Sequence, residues 1–465
     1  MIQMKGLIGG QMTERGTLSI VLAAGKGTRM KSRLPKALHQ IAGRSLLGHV
    51  IAASQAGVGG TTAVVVGPGM DDVRNEAQRQ AGGAGIGVYL QPGQQGTGDA
   101  VLAAREAIAA AGDVFVLFCD TPLLRPETLA NMSAALERGA NVAVLGFEAG
   151  DPTGYGRLLT SADGALEAIR EHNDASPAER EVRLCNSGVM AFRCPDLLGI
   201  LDQITSDNAK GEFYLTDVIE IARRAGLTAV AVASDEAQLL GINDRCQLAE
   251  AERVFQQRRR EQAMREGATL IAPETVWFSY DTVIGQDVVI EPNVFFGPGV
   301  SVADGVHIRA NCHIEGTEIG ARARIGPFAR LRPGASLGAD VHVGNFVEIK
   351  NVVMGDGAKA NHLAYLGDGA VGVGSNIGAG TIFCNYDGFF KHRTEIGKGA
   401  FIGSNSALVA PLRIGDGAFV GSGSVITKNV PSDALSLERA EQATRDGWAA
   451  KFRTVMQRRK AQQNK

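Results

Sequence analysis

From Ile284 to Ile426 an apolar residue returns every six positions, and no other feature of the chain limits its fold so tightly. The anchors run Ile284, Ile290, Phe296, Val302, Ile308, Ile314, then after a five-residue step Ile319, Ile325, Leu331, Leu337, Val343, Ile349. Further five-residue steps give Met354, Ala360, Leu366 and Val371, Ile377, Phe383, and the last series is Ile396, Ile402, Leu408, Ile414, Val420, Ile426. Fourteen of these anchors are followed by Gly, although Gly is only 60 of 465 residues, so about three are expected by chance. The position four after the anchor is nearly always Ala, Val, Ser or Thr. This double pattern predicts a parallel β-helix of hexapeptide repeats, with three short strands in each coil of about 18 residues, anchors filling the interior, and Gly or another small residue turning the corners. A Gly-rich disordered stretch has neither the strict period nor the branched anchors.

The first half has a different rhythm. Leu18 to Ala24 is a continuous apolar run, and shorter ones follow at 62–66, 86–90, 114–119, 141–147 and 228–233, with helical segments near 45–56, 71–80, 98–111 and 125–138. Such alternation predicts an α/β domain with a parallel sheet. Asp244 to Gly267 reads as one long helix, and its Arg258-Arg259-Arg260 as a solvated charged face. The reading therefore divides the chain into a mobile tail (1–17), an α/β domain (18–243), a linker helix (244–267), the β-helix (268–435) and a C-terminal helix and tail (436–465).

A net charge of -2 with interspersed signs gives no footprint for nucleic acid or a membrane surface. Cys119, Cys185, Cys194, Cys246, Cys312 and Cys384 are scattered without a CxxC pair or metal spacing, as in a reducing cytosol, and no apolar run reaches membrane-spanning length. A cytoplasmic protein is expected.

Gly25-Lys26-Gly27-Thr28-Arg29 follows the first strand, where glycines let backbone N–H groups approach phosphate oxygens and Lys26, Arg29 and Lys36 bring charge. A plain strand-to-helix turn has the same composition, and the P-loop spacing is absent. The longer stretch Leu22-Ala-Ala-Gly-Lys-Gly-Thr-Arg-Met30 with Leu34-Pro-Lys36 resembles the signature of sugar-1-phosphate nucleotidylyltransferases. The likeness extends through Leu90-Gln91, Gln95-Gly96-Thr97-Gly98, Phe118-Cys119-Asp120-Thr-Pro122, Pro152-Thr-Gly-Tyr-Gly156-Arg, Glu171-His172, Asn186-Ser-Gly188 and Gly241-Ile-Asn243-Asp-Arg245. With the repeats behind it, the chain resembles the bifunctional N-acetylglucosamine-1-phosphate uridyltransferase/glucosamine-1-phosphate N-acetyltransferases over residues 18–448.

That resemblance implies a Rossmann-like nucleotidyltransferase domain, a long linker helix and a left-handed parallel β-helix. It implies Mg2+ on Asp120 and Asn243, charge neutralisation by Arg29 and Lys36, uridine held by Leu22, Ala23, Ala24, Gly25, Gln91, Gly96 and Thr97, and the acetylated sugar gripped by Gly156, Glu171 and Asn186. Singly, each has a plainer reading: Asp120 or Asn243 can cap a helix, and Glu171 can be a surface charge. The family usually has Gly where Cys119 stands, a change expected to weaken nucleotide binding at most.

In the β-helix the register locates a second cluster. Arg332 and Lys350 follow anchors Leu331 and Ile349 and should form one outward column, with Glu348 and Tyr365 stacked at the corner before it. His362 is expected on the face of Tyr365, above Asn345 and under Ala379. Seven extra residues between Phe383 and Ile396 should form a loop overhanging the cluster. His307, His313 and His342 show how often a β-helix histidine is simply surface. Gly326-Pro-Phe-Ala-Arg-Leu-Arg332, Gly344-Asn-Phe-Val-Glu348-Ile-Lys350, His362-Leu-Ala-Tyr365 and Asn376-Ile-Gly-Ala379 resemble the acetyltransferase half. By resemblance His362 is the base, Glu348 tunes or orients it, Arg332 and Lys350 clamp the sugar phosphate, and Tyr365 and Asn376 bind the sugar. Ala379, Asn385, Tyr386, Ser404, Ser422 and Arg439 then contact acetyl-CoA, with Asn385 also placed to polarise the thioester. The resemblance further implies UTP and acetyl-CoA as co-substrates and a homotrimer. The alternatives are a regulatory or assembly subunit that only binds nucleotide sugars, and an enzyme acting on another sugar such as glucose 1-phosphate.

Overall fold

The computed structural model describes residues 16–80, 85–162, 164–193, 196–208 and 210–463. Of the expected N-terminal tail, all but Gly16 and Thr17 lies outside these residues, as do Cys194 and the last two residues of the C-terminal tail. The chain divides between Glu261 and Gln262 into two compact units.

The first unit is built on strands β1 (Thr17–Leu22), β2 (Thr61–Val66), β3 (Ile86–Leu90), β4 (Asp113–Phe118), β5 (Val142–Glu148), β6 (Arg157–Thr160), β7 (Leu166–Arg170), β8 (Leu184–Phe192) and β9 (Ala229–Ala233). Their order is β9-β5-β8-β4-β1-β2-β3, with β6 and β7 attached through β8. Successive β1 residues serve opposite faces: Leu18, Ile20 and Leu22 enter one buried cluster, Val21 and Ala23 the other. The sheet is mixed, where a parallel one was expected: β8 runs antiparallel to both β4 and β5. Its sequence hides it, since Asn186, Ser187 and Gly188 interrupt the apolar run and the pairing with β5 shifts register there. The helix expected over 98–111 is broken into Thr97–Leu102 and Arg105–Ala110.

Because β2 lies on one side of β1 and β4 on the other, the chain changes direction between β1 and β4, opening a crevice at their carboxyl ends. Asp244 starts the long helix Arg245–Arg265, its Oδ1 accepting Gln247 N at 2.9 Å. The arginine run in that helix is not a solvated face. Arg258 donates to the carbonyls of Leu123 and Ala237 and is pushed down to about 10, mainly by burial, while Arg260 is buried.

The second unit is a parallel β-helix in which all the anchors but the partly buried Ile284 are buried in one continuous core. Three columns form. Face A stacks Ile290, Ile308, Ile325, Val343, Ala360, Ile377, Ile402 and Val420; face B stacks Phe296, Ile314, Leu331, Ile349 and Leu366; face C stacks Ile284, Val302, Ile319, Leu337, Met354, Val371, Ile396 and Ile414. Phe383, Leu408 and Ile426 continue face B. Every departure from six, including the long loop after Phe383, falls between a face B anchor and the next face C anchor.

The expected small residues turn many of the corners, as at Gly299, Gly357, Gly374 and Gly380, and Asp or Asn turns many others. Left-handed backbone occurs two or three residues after the anchors, at positions such as Asp287, Asn293, Gly305, Asn311, Asp340, Asn351, Asp368 and Asn405. The Gly directly after an anchor serves close stacking instead: a Cβ on Gly344 would lie 1.9 Å from the backbone oxygen of Asn361 in the next coil. Gly344→Ala is therefore expected to force two coils apart and lower stability by about 1–3 kcal/mol or more, seen as a lower urea midpoint for the β-helix.

Candidate active sites

At the crevice of the first unit, the turn after β1 and the end of β4 meet. Ala23 N donates to Val65 O at 2.8 Å and Gln94 Nε2 to Ala24 O at 2.7 Å, fixing the loop before Gly25. Gly27 is left-handed (φ 59), and a Cβ there would stand 2.6 Å from that of Lys36, so glycine lets the lysine pack across the loop. Lys36 Nζ lies 2.5 Å from Asp120 Oδ2 and 3.2 Å from Asn243 Oδ1. Arg29 Nη2 donates to the same Asn243 oxygen at 2.8 Å. Ile242 N bonds Asp120 O at 2.9 Å, a backbone clip that carries Asn243 to the strand end from far along the chain.

The plainer readings fail for two residues. Asp244 caps the long helix and Gln247 Oε1 accepts the backbone N–H of Asn243 at 2.7 Å, so the Asn243 side chain is free of that duty. Asp120 caps no helix, because the following one starts at Pro126 with Arg125 before it. Asp120 and Asn243 thus aim two hard oxygens at one cation, at present the Lys36 ammonium. One carboxylate plus a neutral oxygen suits Mg2+, which keeps waters and takes substrate phosphates as its other ligands.

Beside this lies a cavity of about 290 Å³ lined by Thr97, Gly156, Glu171, Asn186, Lys210 and Thr216 among others. Burial pushes the Glu171 carboxyl above its ordinary value, against the pull of Lys210. Asn186 N bonds Gly156 O at 2.8 Å across the β8 irregularity. Gln91 is buried and spends its amide on Gly96 O at 3.0 Å and Asp99 Oδ2 at 2.8 Å, so it shapes the Gly96-Thr97 turn. Cys119 is buried in the core, its thiol pushed up to about 12 by burial and then by Asp120.

In the second unit Arg332 pairs with Lys350, and Glu348 with Tyr365, in adjacent coils as the register predicts. His362 is not on Tyr365's face. It ends the face A strand Lys359–His362, whereas Tyr365 begins the face B strand Tyr365–Val371, so the two meet around a corner. Nor does Glu348 hold the imidazole. Arg332 Nη1 occupies Glu348 Oε1 at 2.8 Å and Arg330 lies 3.8 Å from the other oxygen, while His362 Nδ1 is 2.5 Å from Asn345 Oδ1. An amide oxygen only accepts, so Nδ1 carries a proton here, and in the neutral ring the lone pair is then on Nε2.

Asp368 was not singled out by sequence reasoning, yet it gathers this end of the cluster. It accepts from Asn385 Nδ2 at 2.6 Å and Asn351 Nδ2 at 2.8 Å, with Lys350 Nζ 3.6 Å away. Burial acts to raise its pKa, but the bonds from Asn351 and Asn385 and the charges of Lys350 and Lys391 hold it below the ordinary value. Lys391, from the long loop, faces Lys350, and contact with that like charge holds it below the usual lysine range. The loop thus reaches the Lys350 side of the cluster.

Asn376 lies on face A one coil above Lys359, next to anchor Ile377. Ala379 O accepts Asn405 N at 2.7 Å and Ser404 O accepts Gly423 N at 2.8 Å, while Arg439 Nη1 donates to Ser422 O at 2.8 Å, stringing these residues along the later coils. Tyr386 is exposed and donates to Gly388 O within the loop.

Residues 19–184 match the MobA-like NTP transferase domain, and 281–316, 316–351 and 393–428 match the bacterial transferase hexapeptide (six repeats). The bifunctional protein GlmU of Azorhizobium caulinodans is 57% identical over 445 residues, covering 96% of this chain and 99% of the relative. The GlmU proteins of Bradyrhizobium sp. (strain ORS 278) and Xanthobacter autotrophicus are each 56% identical, again over 96% of this chain and 99% of the relative.

Burial also raises the thiols of Cys185 and, to about 11, Cys312, whereas Cys246 is exposed. A thiol whose pKa is raised stays protonated and unreactive as pH rises through the ordinary range. Alkylation of the native protein at pH 8, mapped by peptide mass spectrometry, is expected to mark Cys246 and spare Cys119, Cys185 and Cys312.

Proposed function

Because this chain belongs to the bifunctional GlmU family, we infer that its two units carry out successive group transfers ending in UDP-N-acetylglucosamine. It is a nucleotidyltransferase and an acetyltransferase of cell-wall precursor synthesis. The observation that supports this reading is that each unit gathers its own cluster of charged and titratable groups: Lys36 and Arg29 against Asp120 and Asn243 in one, His362 on Asn345, with Arg332 and Lys350 in register, in the other. A subunit that only binds would need neither.

The acetylation comes first. His362 Nε2 takes the proton that leaves the amine of glucosamine 1-phosphate as the C–N bond to the acetyl carbon forms, the C–S bond of acetyl-CoA breaks and coenzyme A leaves as its thiol. Asn345 keeps the tautomer that makes Nε2 the base. Arg332 and Lys350 hold the phosphate, with Glu348 fixing the guanidinium. Tyr365 and Asn376 orient the sugar, and Asn385, held by Asp368, turns its amide toward the thioester carbonyl. Ala379, Tyr386, Ser404, Ser422 and Arg439 line the path for acetyl-CoA.

In the first unit the phosphate of N-acetylglucosamine 1-phosphate attacks the α-phosphorus of UTP, and pyrophosphate leaves. Leu22 to Gly25, Gln91, Gly96 and Thr97 hold the uridine, and Gly156, Glu171 and Asn186 hold the sugar. Lys36 and Arg29 withdraw charge from the phosphates. Asp120 and Asn243 would hold Mg2+, which would supply Lewis-acid neutralisation of the triphosphate. Lys36 then exchanges its carboxylate partner for phosphate oxygens.

The assembly is a homotrimer. Phe328, Phe346 and Leu363 stack up the corner between faces A and B beside His362, all exposed and all in left-handed backbone, where other coils use Asn or Gly. Bulky residues kept at such strained, exposed positions fit a surface covered by another subunit. Among the described residues no helix is long and apolar enough to cross a membrane, in keeping with a cytoplasmic enzyme.

His362→Ala should remove acetylation, by about 100-fold or more, and leave uridylylation near normal; Asp120→Ala should do the reverse. Pyrophosphate release from UTP with Mg2+ and coenzyme A thiol release measure the two. Loss of both activities in either variant would sink the division of labour, and equal turnover of glucose 1-phosphate would sink the sugar assignment. Phe346→Asp is expected to shift the protein toward monomers in sedimentation and to lower acetylation selectively.

A further inference from the structure

Face A carries a second cluster, apart from the groups assigned to either transfer. His307, Arg324, His342 and Lys359 occupy equivalent outward positions in four successive coils and pair in register. Coils stack about 4.8 Å apart, and like charges facing one another across strands destabilise a sheet. Arg309, just after anchor Ile308, adds a further cation. Arg309, Arg324, His307 and His342 line a groove of about 590 Å³ with Gly305, Arg322 and Asp340.

The groove's anions are already committed. Asp340 takes Arg322 in two hydrogen bonds of 2.9 and 2.7 Å, and Glu291 Oε1 lies 2.9 Å from His307 Nε2. Among the described residues no carboxylate lies within ion-pair distance of Arg309, Arg324 or Lys359. His342 is held below its ordinary pKa by burial and then by Arg324, Lys359 and Arg309, with Asp340 too weak a counterweight. A solvated face would spread such charges apart or interleave acids.

We propose that this groove binds a phosphate-type oxyanion, with Arg309 and Arg324 as guanidinium clamps and His342 as a third donor. Planar guanidinium forks match phosphate oxygens, and the anion would give Arg309 and Arg324 the counter-charge that no carboxylate among the described residues supplies. Inorganic phosphate and pyrophosphate share this chemistry. The site lies on the strand His342–Asn345 that supplies the partner of His362, yet uses none of the residues given roles in transfer.

The sign of the pH dependence follows. A bound anion favours the imidazolium, so it raises the depressed His342 pKa, and binding tightens as pH falls through the free-state value. The test uses the full-length protein with ring-13C histidine, the His342 signal assigned by its loss in His342→Gln. Phosphate and pyrophosphate are titrated without metal, against NaCl at equal ionic strength. The expected result is an upward shift of the His342 titration with either anion beyond that with NaCl, and about tenfold or more weaker binding in Arg309→Ala/Arg324→Ala. The stronger of the two anions identifies the source. A shift no larger than with NaCl, or one unchanged in the double variant, overturns the proposal. Both arginines are exposed, so the variant should fold, and coenzyme A release should remain near normal whichever way the titration falls.

Discussion

Backbone hydrogen bonds between successive coils are the constraint on which the second unit depends. Each strand is only two to seven residues long and none could persist alone. Stacked, they place one anchor above another down three columns, and the outward side chains are then indexed by the same ladder. Arg332 over Lys350 and Glu348 over Tyr365 are consequences of that indexing rather than separate inventions. It also explains what the ladder cannot supply. His362 reaches the cluster only by going round a corner, and so takes its holding partner, Asn345, from its own face.

The first unit solves the same problem with a different device. The polar groups gathered at its crevice come from points more than 200 residues apart, drawn to where the strand order reverses between β1 and β4. The bond from Ile242 N to Asp120 O and the contacts of Arg245 with Met30 O and His39 Nδ1 fix the far end, and the Lys36 ammonium closes the set across three segments. The same ammonium thus holds the two oxygens of Asp120 and Asn243 at one point, so that the three segments share a single centre.

What the sequence made legible was whatever is periodic. The anchors, their faces and the stacked charge columns followed from counting, because a six-residue repeat leaves one arrangement open. The antiparallel strand Leu184–Phe192 did not, since its Asn186-Ser187-Gly188 irregularity breaks the run that marks a buried strand. Spacing placed His362 above Asn345 correctly, whereas the tie to Glu348 came with the resemblance, which does not say that Glu348 is already engaged by Arg332. Asp368 stayed hidden as one acid among 49 acidic residues, its weight set by burial and by three partners that only the fold assembles. The reason for glycine at Gly344 was equally out of reach of the sequence, since it is the carbonyl of Asn361 in the next coil.

The coil lengths vary at one corner only. Each five-residue step, and the long loop after Phe383, lies between face B and face C, so chain has been removed or added there without disturbing faces A and B. That corner is therefore where the architecture can be edited through evolution or by grafting. A segment inserted there meets a register that is reset at the next face C anchor, whereas one residue inserted between His342 and Lys350 would rotate every group around His362 out of alignment.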